Sequence, residues 1–237
     1  MPRILQISDC HCYAEDGRKL AWADRDVYPN RNLRAVLRRL STVPADRLVI
    51  TGDLADDGSS AAYRRVDQLL ADFPLPAYAL PGNHDSYEKM GAALKIVGTP
   101  RQIKLGNWRL VFLDSNRAAD PVFLAGLPPN EHIALFMHHH PVPVGSAFLD
   151  DLGLPAAEEF WEQAEKFGDI KAVFHGHVHQ EFEAVKKGVK IYGAPATSIQ
   201  GLPEQSTLKI EHAIPGWREI TLQDDGTVKT EVFYLEA

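Results

Sequence analysis

The sequence predicts an α/β fold in which mixed β-sheets pack face to face with helices outside. Three observations point there. Five short apolar runs rich in Val, Ile and Leu read as buried strands. They are ILQIS before Asp9-Cys10-His11, LVIT before Gly52-Asp53, YALP before Gly82-Asn83-His84-Asp85, IALFM before His138-His139-His140, and KAVF before His175-Gly176-His177-Val178-His179. The early runs alternate with amphipathic helix patterns. The runs after Gln180 have no helices between them.

Residues 3–8 form the first expected strand. A polar, turn-rich stretch follows, then a helix over 32–40 with Leu33, Val36, Leu37 and Leu40 on one face. The second strand is 47–51. Ser59 or Ser60 caps a helix running to Phe73, with Tyr63, Val66, Leu69 and Leu70 inward. Strand 77–80 stops at Pro81-Gly82, and a helix is expected over 87–97. Runs 101–105 and 108–114, split by Gly106-Asn107, read as a hairpin. Residues 116–131, with Pro121, Pro128 and Pro129 and no clear period, read as a loop before the strand ending at Met137. A helix over 155–167 has proline in its first turn and Gly168 as its stop. Runs 181–186, 189–192, 217–222 and 227–234 suggest an antiparallel region, with turns at Gly188 and Asp225-Gly226.

A chain of 237 residues without repeat or linker is expected to form one domain, residues 1–237. Its net charge of −7 argues against a surface that holds nucleic acid by counterion release. A small phosphorylated substrate remains open, because bound metal ions reverse the local sign. No apolar stretch approaches the ~20 residues of a membrane-spanning helix. The chain enters a strand at once, without the basic start and apolar segment of a signal peptide. Cys10 and Cys12 flank His11, and a disulfide across one residue would be badly strained. Reduced thiols, a cytoplasmic location and no membrane partner are the expectation.

Eight of the ten histidines fall in the segments 11, 84, 138–140 and 175–179. Only His132 and His212 lie outside, and neither is given a functional role. Ligands of open α/β sheets gather beyond the carboxyl ends of the strands, so five such ends imply one shared site. Asp9 and His11, two apart on an extended segment, face the same way and can grip one ion; His177 and His179 share that spacing. Asp53 offers two carboxylate oxygens, Asn83 an amide oxygen and His138 a nitrogen. This mixture suits Mn, Fe, Zn, Co or Ni rather than calcium.

Successive strand residues face opposite ways, so at most two of the three consecutive histidines enter the site. His139 is the alternative to His138, and His140 either contacts substrate or shapes its loop. His175 reads as structural. A thiolate site at Cys10 and Cys12 is a further alternative. Asp56 and Asp57 read as caps of the next helix, as do Asp150 and Asp151, while Asp114-Ser115 ends a strand near the site.

The ordered set Asp9-x-His11, Gly52-Asp53, Gly82-Asn83-His84-Asp85, His138 and Gly176-His177-x-His179 resembles the calcineurin-like metallophosphoesterase superfamily. Gly52-Asp53-Leu54 with Asp57, the run from His138 to Ser146, the His175 block and the stretch from Pro195 to Gln200 resemble its bacterial class III cyclic-nucleotide phosphodiesterases. The resemblance implies a four-layer αββα sandwich, two mixed β-sheets flanked by helices, and no separate C-terminal cap domain. It implies two divalent or mixed-valence transition-metal ions (Fe, Mn, Zn, Co or Ni). Asp9, His11, Asp53 and His179 would hold the first ion; Asp53, Asn83, His138 and His177 would hold the second. Such pairs, ~3.5–4 Å apart, carry a bridging hydroxide and support in-line displacement at phosphorus.

His84 is then the group that protonates the leaving alkoxide. Asp85 either orients the His84 imidazole or supports a ligand. Asn83, His84 and His140 are the expected substrate contacts. The implied substrate is a small-molecule phosphodiester, with 3',5'-cyclic nucleotides such as cyclic AMP in first place. Two rivals stand beside it. One is a broader enzyme acting on glycerophosphodiesters, nucleotides or lipid-sugar pyrophosphates; the other is a non-catalytic scaffold on the same fold. Stretch 116–131 lacks the helix that members of the family usually carry there, which leaves a homodimer interface open. Residues beyond Gln200 are expected to complete the second sheet, under a pocket more open than in capped relatives.

Overall fold

The computed structural model describes residues 1–117, 131–166, 169–207 and 209–236. Strands β1 (Arg3–Ile7), β2 (Arg47–Thr51) and β3 (Ala77–Leu80) lie side by side and parallel. α1 (Pro29–Leu40) and α2 (Ser60–Leu69) return the chain between them, as parallel pairing requires, and α3 (Tyr87–Ala93) follows β3 on the way to the second sheet. A second sheet holds β4 (Gln102–Leu105), β5 (Trp108–Phe112), β6 (His132–Phe136), β7 (Asp169–His175), β8 (Phe182–Lys186) and β9 (Val189–Gly193), in the order β4-β5-β6-β7-β9-β8. Its four central strands, β5, β6, β7 and β9, are parallel. Two further helices, α4 (Ala147–Asp150) and α5 (Ala157–Ala164), lie between β6 and β7 in the chain. The short pair β10 (Gln200–Gly201) and β11 (Ile210–His212) stands apart.

The two-residue alternation of the strands sorts the core into layers. Leu5, Ile7, Leu48 and Ile50 pack against Leu33, Val36, Tyr63 and Val66 of the helices. Their neighbours Ile4 and Val49 face the second sheet and meet Trp108, Phe112, Phe136 and Phe174. The far side of that sheet, including Ile133, Leu135 and Val173, is covered by Phe160 and Trp161 of α5. Four layers result, helix on sheet on sheet on helix. Phe112, Phe136, Phe174 and Tyr192 form a ladder between the sheets, with successive ring centroids 5.7, 5.0 and 5.4 Å apart. Among the described residues no helix is long and apolar enough to cross a membrane.

The late strands depart from the expected arrangement. β9 joins β7 in parallel, so the region after Gln180 is not wholly antiparallel. β12 (Gly216–Leu222) pairs with β1, and β13 (Val228–Tyr234) pairs with β12. Residues beyond Gln200 therefore extend the sheet that opens the chain. Alternation fixes which face of a strand is buried but not which neighbour it takes.

Helix ends differ too. α1 begins at Pro29, three residues early, because a proline in the first turn has no N–H to leave unpaired. α5 begins at Ala157, after Ala156 takes a left-handed φ of 55°. The stop expected at Gly168 and most of the expected 116–131 loop lie outside the described residues. α3 ends at Ala93 instead of reaching 97 because a distant side chain captures its continuation. The half-buried stretch after α3 gives the N–H groups of Lys95, Ile96 and Val97 to the Asp67 carboxylate, at 2.9–3.0 Å. Asp67→Ala should therefore cost roughly 2–4 kcal/mol, since three donors lose a carboxylate acceptor. Asp67→Asn keeps the oxygen facing Ile96 and Val97 and should lose less; urea unfolding measures both.

Candidate metal centre

The strand ends turn through backbone that side chains other than glycine rarely adopt. Asp9, His11, Asp53, His177 and His179 have φ of 52°, 47°, 50°, 68° and 53°. Each such residue costs on the order of 1–2 kcal/mol unless its surroundings impose it. Here they do. Asp9 N–H donates to the Gly52 carbonyl at 3.1 Å and His11 N–H to that of Asp53 at 2.8 Å. The His177 N–H donates to the Asp9 carboxylate at 3.0 Å. Gly52, with φ of 97°, and Gly82 make the close approach: a Cβ on Gly82 would collide with the Asp53 carboxylate.

Hydrogen bonds on the far side of each ring fix which nitrogen is free. Nδ1–H of His179 donates to the Ile199 carbonyl and that of His138 to the Thr51 carbonyl, both at 2.8 Å. Nδ1–H of His11 donates to the Asp56 carboxylate at 3.1 Å. All three Nε2 lone pairs then point inward. His11 Nε2 and His179 Nε2 are 3.3 Å apart. His138 Nε2 lies 3.0 Å from Asn83 Oδ1, 3.4 Å from Asp53 Oδ2 and 3.2 Å from His177 Nδ1. His179 Nε2 is 3.4 Å from Asp9 Oδ1, and His11 Nε2 is 3.6 Å from Asp53 Oδ2.

Acceptor thus faces acceptor in a space where Asp9 and Asp53 are 0 and 2 % exposed. Positive charge relieves that arrangement, whether a proton on His138 or His179 or a bound cation. Among the described residues no lysine or arginine reaches either carboxylate. The donor set fits transition-metal cations, one near Asp9, His11 and His179 and one near Asp53, Asn83, His138 and His177.

Electrostatics divides the histidines by their neighbours. Burial raises the Asp9 and Asp53 carboxyls, but His179 beside Asp9 and His138 beside Asp53 outweigh it, leaving both below the usual carboxylate range. Burial opposes the charge on His138, yet Asp53 lifts it to about 9; Asp9 raises His179 in the same way. Burial, the largest cause, pulls His139 and His175 down to about 3 and His140 to about 4. His177 is also held low, by burial and then by His138.

The sequence-predicted residues fall into distinct places. Asp9, His11, Asp53, Asn83, His138, His177 and His179 surround one space. His84 stands at its rim: its Nδ1–H donates to the Asp56 carbonyl at 2.9 Å, and its ring lies 4.8 Å from that of His11. Asp85 does not touch the His84 ring, contrary to one expectation. Its carboxylate accepts the N–H groups of Leu54, Ala55 and Gly82, tying two strand-end loops together. Burial, then the nearby Asp53, pushes that carboxyl up to about 6.

His140 is not a surface that an arriving substrate meets. Its side chain is 1 % exposed and stacks behind His177, with centroids 5.7 Å apart. His139 pairs with the Ser115 hydroxyl at 2.8 Å, outside the converging set. His175 is buried beside Phe182. Cys10 and Cys12 are free and buried, and burial lifts the Cys10 thiol to about 12, far from a thiolate donor.

Of the partners that hold these rings, the sequence reading placed Ser115 near the site and missed the others. Asp56 caps no helix: it accepts from His11 Nδ1, the Tyr13 hydroxyl and Trp22 Nε1. Its position three residues after Asp53 on the same turn was the available signal. Ser115 accepts the backbone N–H groups of His138 and His139, and Asn116 donates to the Gly82 carbonyl at 2.9 Å. The carbonyls of Thr51 and Ile199 carry no sequence signal at all.

Residues 2–181 match the family model for calcineurin-like phosphoesterases. The 3',5'-cyclic adenosine monophosphate phosphodiesterase CpdA of Vibrio vulnificus is 34% identical over 247 residues, covering 97% of this chain and 89% of the relative. The protein of the same name from Escherichia coli K12 is 35% identical over 248 residues, covering 98% and 90%. A dimetal phosphatase from Danio rerio shares the fold with a TM-score of 0.65 at 12% identity, over 94% of this chain and 93% of that one. The class is a phosphoesterase with a metal-binding donor set. The chain belongs to the calcineurin-like phosphoesterase family.

Asp56→Ala should loosen His11 and weaken divalent-ion binding about 10–100-fold, the usual effect of removing a carboxylate behind a ligating imidazole. Calorimetric titration with Mn²⁺ measures it. Thermal unfolding provides a second reading: at 100 times Kd, an ion stabilises the folded chain by about 2.7 kcal/mol, and the variant should need more Mn²⁺ to reach the same midpoint.

Proposed function

We propose that this chain is a metal-dependent phosphodiesterase whose preferred substrates are 3',5'-cyclic nucleotides, with cyclic AMP foremost. The observation that carries the metal-dependent reading is Asp53, a buried carboxylate between the inward nitrogens of His11 and His138. Curated relatives named for cyclic AMP hydrolysis, matching 97–98% of the chain, supply the substrate class. Asp9, His11, Asp53 and His179 would hold one divalent transition-metal ion, and Asp53, Asn83, His138 and His177 the other. When bound, the pair supplies Lewis acidity toward the phosphoryl oxygens and lowers the pKa of the attacking water.

The chain's own groups do the rest. Asn83, exposed at the rim, is placed to touch the phosphoryl group as well as an ion. His84 donates Nδ1–H to a fixed carbonyl, so its Nε2 is the atom left to meet the departing oxygen. As an imidazolium it delivers a proton there, which a poor alkoxide leaving group needs. Asp85 acts on the loops carrying Asp53 and Asn83, holding both at the spacing the ions require. A net charge of −7 supports a small substrate over nucleic acid, and two unbridged thiols support a cytoplasmic site of action. A non-catalytic scaffold has no use for so complete a donor set.

Asn83→Ala should lower occupancy of the second ion, read by elemental analysis. His84→Ala should retain both ions yet lose roughly 10²–10⁴-fold in turnover, most with poor leaving groups. A metal-depleted His84 variant would instead make His84 a ligand. Cyclic AMP, an aryl diester and an aryl monoester should be compared on the metal-loaded enzyme. Turnover of the monoester alone would refute the diesterase reading.

A further inference from the structure

Trp22 is 36 % exposed, whereas the other three tryptophans, Trp108, Trp161 and Trp217, are buried. It lies between β1 and α1, beside the donor cluster. Its ring centroid is 5.4 Å from that of His11 and 5.9 Å from that of His179, at interplanar angles of 76° and 71°. Neither imidazole stacks flat on the indole. Nε1–H donates to Asp56 Oδ1 at 3.0 Å, which fixes the ring's orientation. The segment is anchored as well. Leu20 N–H donates to the Val27 carbonyl at 3.0 Å, and Leu20 and Val27 pack on Ile199. Ile199 is the residue whose carbonyl holds the His179 ring.

A large aromatic ring is thus kept rigid and half open to solvent, next to the groups that would hold the phosphate. Exposing an indole forfeits the stability its burial would bring. We propose that Trp22 is the platform on which the heterocyclic base of the substrate stacks while its phosphodiester lies at the donor cluster. The proposal rests on the cyclic-nucleotide reading above and adds the source of preference for nucleotides over other diesters. Stacking on an aromatic face tolerates any base. Trp22 should therefore separate substrates with a base from those without one, and separate adenine from guanine only weakly.

Two variants isolate the ring from its hydrogen bond. Trp22→Leu removes the aromatic face; Trp22→Phe keeps a face and loses the Nε1 donor. With the metal-loaded enzyme, KM for cyclic AMP should rise roughly 5- to 150-fold in Trp22→Leu, the span of base–aromatic stacking. Its KM for 3',5'-cyclic ribose phosphate, which lacks a base, should stay within about twofold, and Trp22→Phe should retain most of the preference. Equal losses on both substrates would overturn the proposal and make Trp22 a prop for Asp56 and His11.

A second readout does not depend on turnover. Because the other tryptophans are buried, 5'-AMP added to the metal-loaded protein should change the fluorescence of Trp22, and ribose 5-phosphate should not. The change should vanish in Trp22→Phe. No response to 5'-AMP at saturating occupancy, measured by calorimetry, would overturn the platform. An enzyme that hydrolyses other diesters but not cyclic AMP would refute the proposed function, while this titration would still decide the role of Trp22.

Discussion

Asp53 is a carboxylate taken out of water between two imidazoles, and its placement constrains the chain around it. Oδ1 accepts the His84 N–H at 2.9 Å, while Oδ2 lies 3.4 Å from His138 and 3.6 Å from His11. Its own carbonyl accepts the His11 N–H. Three other strand-end segments therefore meet at one residue. That residue reaches the space only through a left-handed turn after Gly52, under a Gly82 that has no Cβ to block it. Burying a carboxylate costs several kcal/mol unless positive charge meets it. The two glycines, the turn and the ring of imidazoles are all consequences of satisfying that one group.

The same constraint acts on the packing of the sheets. Asp9, His11, Asp53 and Asn83 follow strands of the first sheet, whereas His138, His177 and His179 follow strands of the second. A sub-ångström slide between sheets would open the donor set. Apolar packing is poorly directional, and the stacked ladder from Phe112 to Tyr192 alone would tolerate such a slide. Directional bonds remove that freedom. Gln6 on β1 donates to the His175 carbonyl on β7 at 3.1 Å, and buried Arg218 on β12 donates to the Gly193 carbonyl on β9 at 3.0 Å. Thr197 N–H donates to the Ser8 carbonyl, one residue before Asp9. The polar groups buried between the sheets lie at the end where the site needs its register.

What the sequence made legible follows from this arrangement. Strands buried on both faces read as uninterrupted apolar runs, so the segments before Asp9, Asp53, Asn83, His138 and His177 were plain. Loops leaving the carboxyl ends of parallel strands share a rim, which made their Asp, Asn and His side chains one group. Long-range pairing left no such mark. The bonds from Lys95, Ile96 and Val97 to Asp67 shortened α3, and nothing between residues 87 and 97 announces them. β12 and β13 alternate like any half-buried strands, and the alternation does not say that β1 is their neighbour. For His140 and Asp85 the sequence left two roles open for the same reason: a polar residue beside a site is equally suited to facing the substrate or bracing the loops. Asp56 was read as a helix cap and Trp22 was passed over, because their hydrogen bonds to His11 and to each other form only once β1, β2 and the intervening loop converge.

The division among the histidines bears on how an acidic protein draws in an anion. Among the described residues of the cluster, Asp9 and Asp53 supply the negative charge; Asn83 is neutral, and the imidazoles would be neutral with ions on their inward lone pairs. Two divalent ions would outweigh the carboxylates of Asp9 and Asp53, an excess that Asp56 behind His11 and Asp85 beside Asp53 would reduce. The rings behind the cluster, His139, His140 and His175, have proton affinities reduced by burial and add no charge of their own. A charged imidazole in that wall would raise the cost of binding the ions; a carboxylate there would cancel the excess that attracts a phosphodiester. Neutral histidines avoid both outcomes while filling the space with flat rings that support His177. With ions bound, the local field would be set by them against Asp9, Asp53 and the neighbouring carboxylates of Asp56 and Asp85, and not by the net charge of −7 carried by the whole chain.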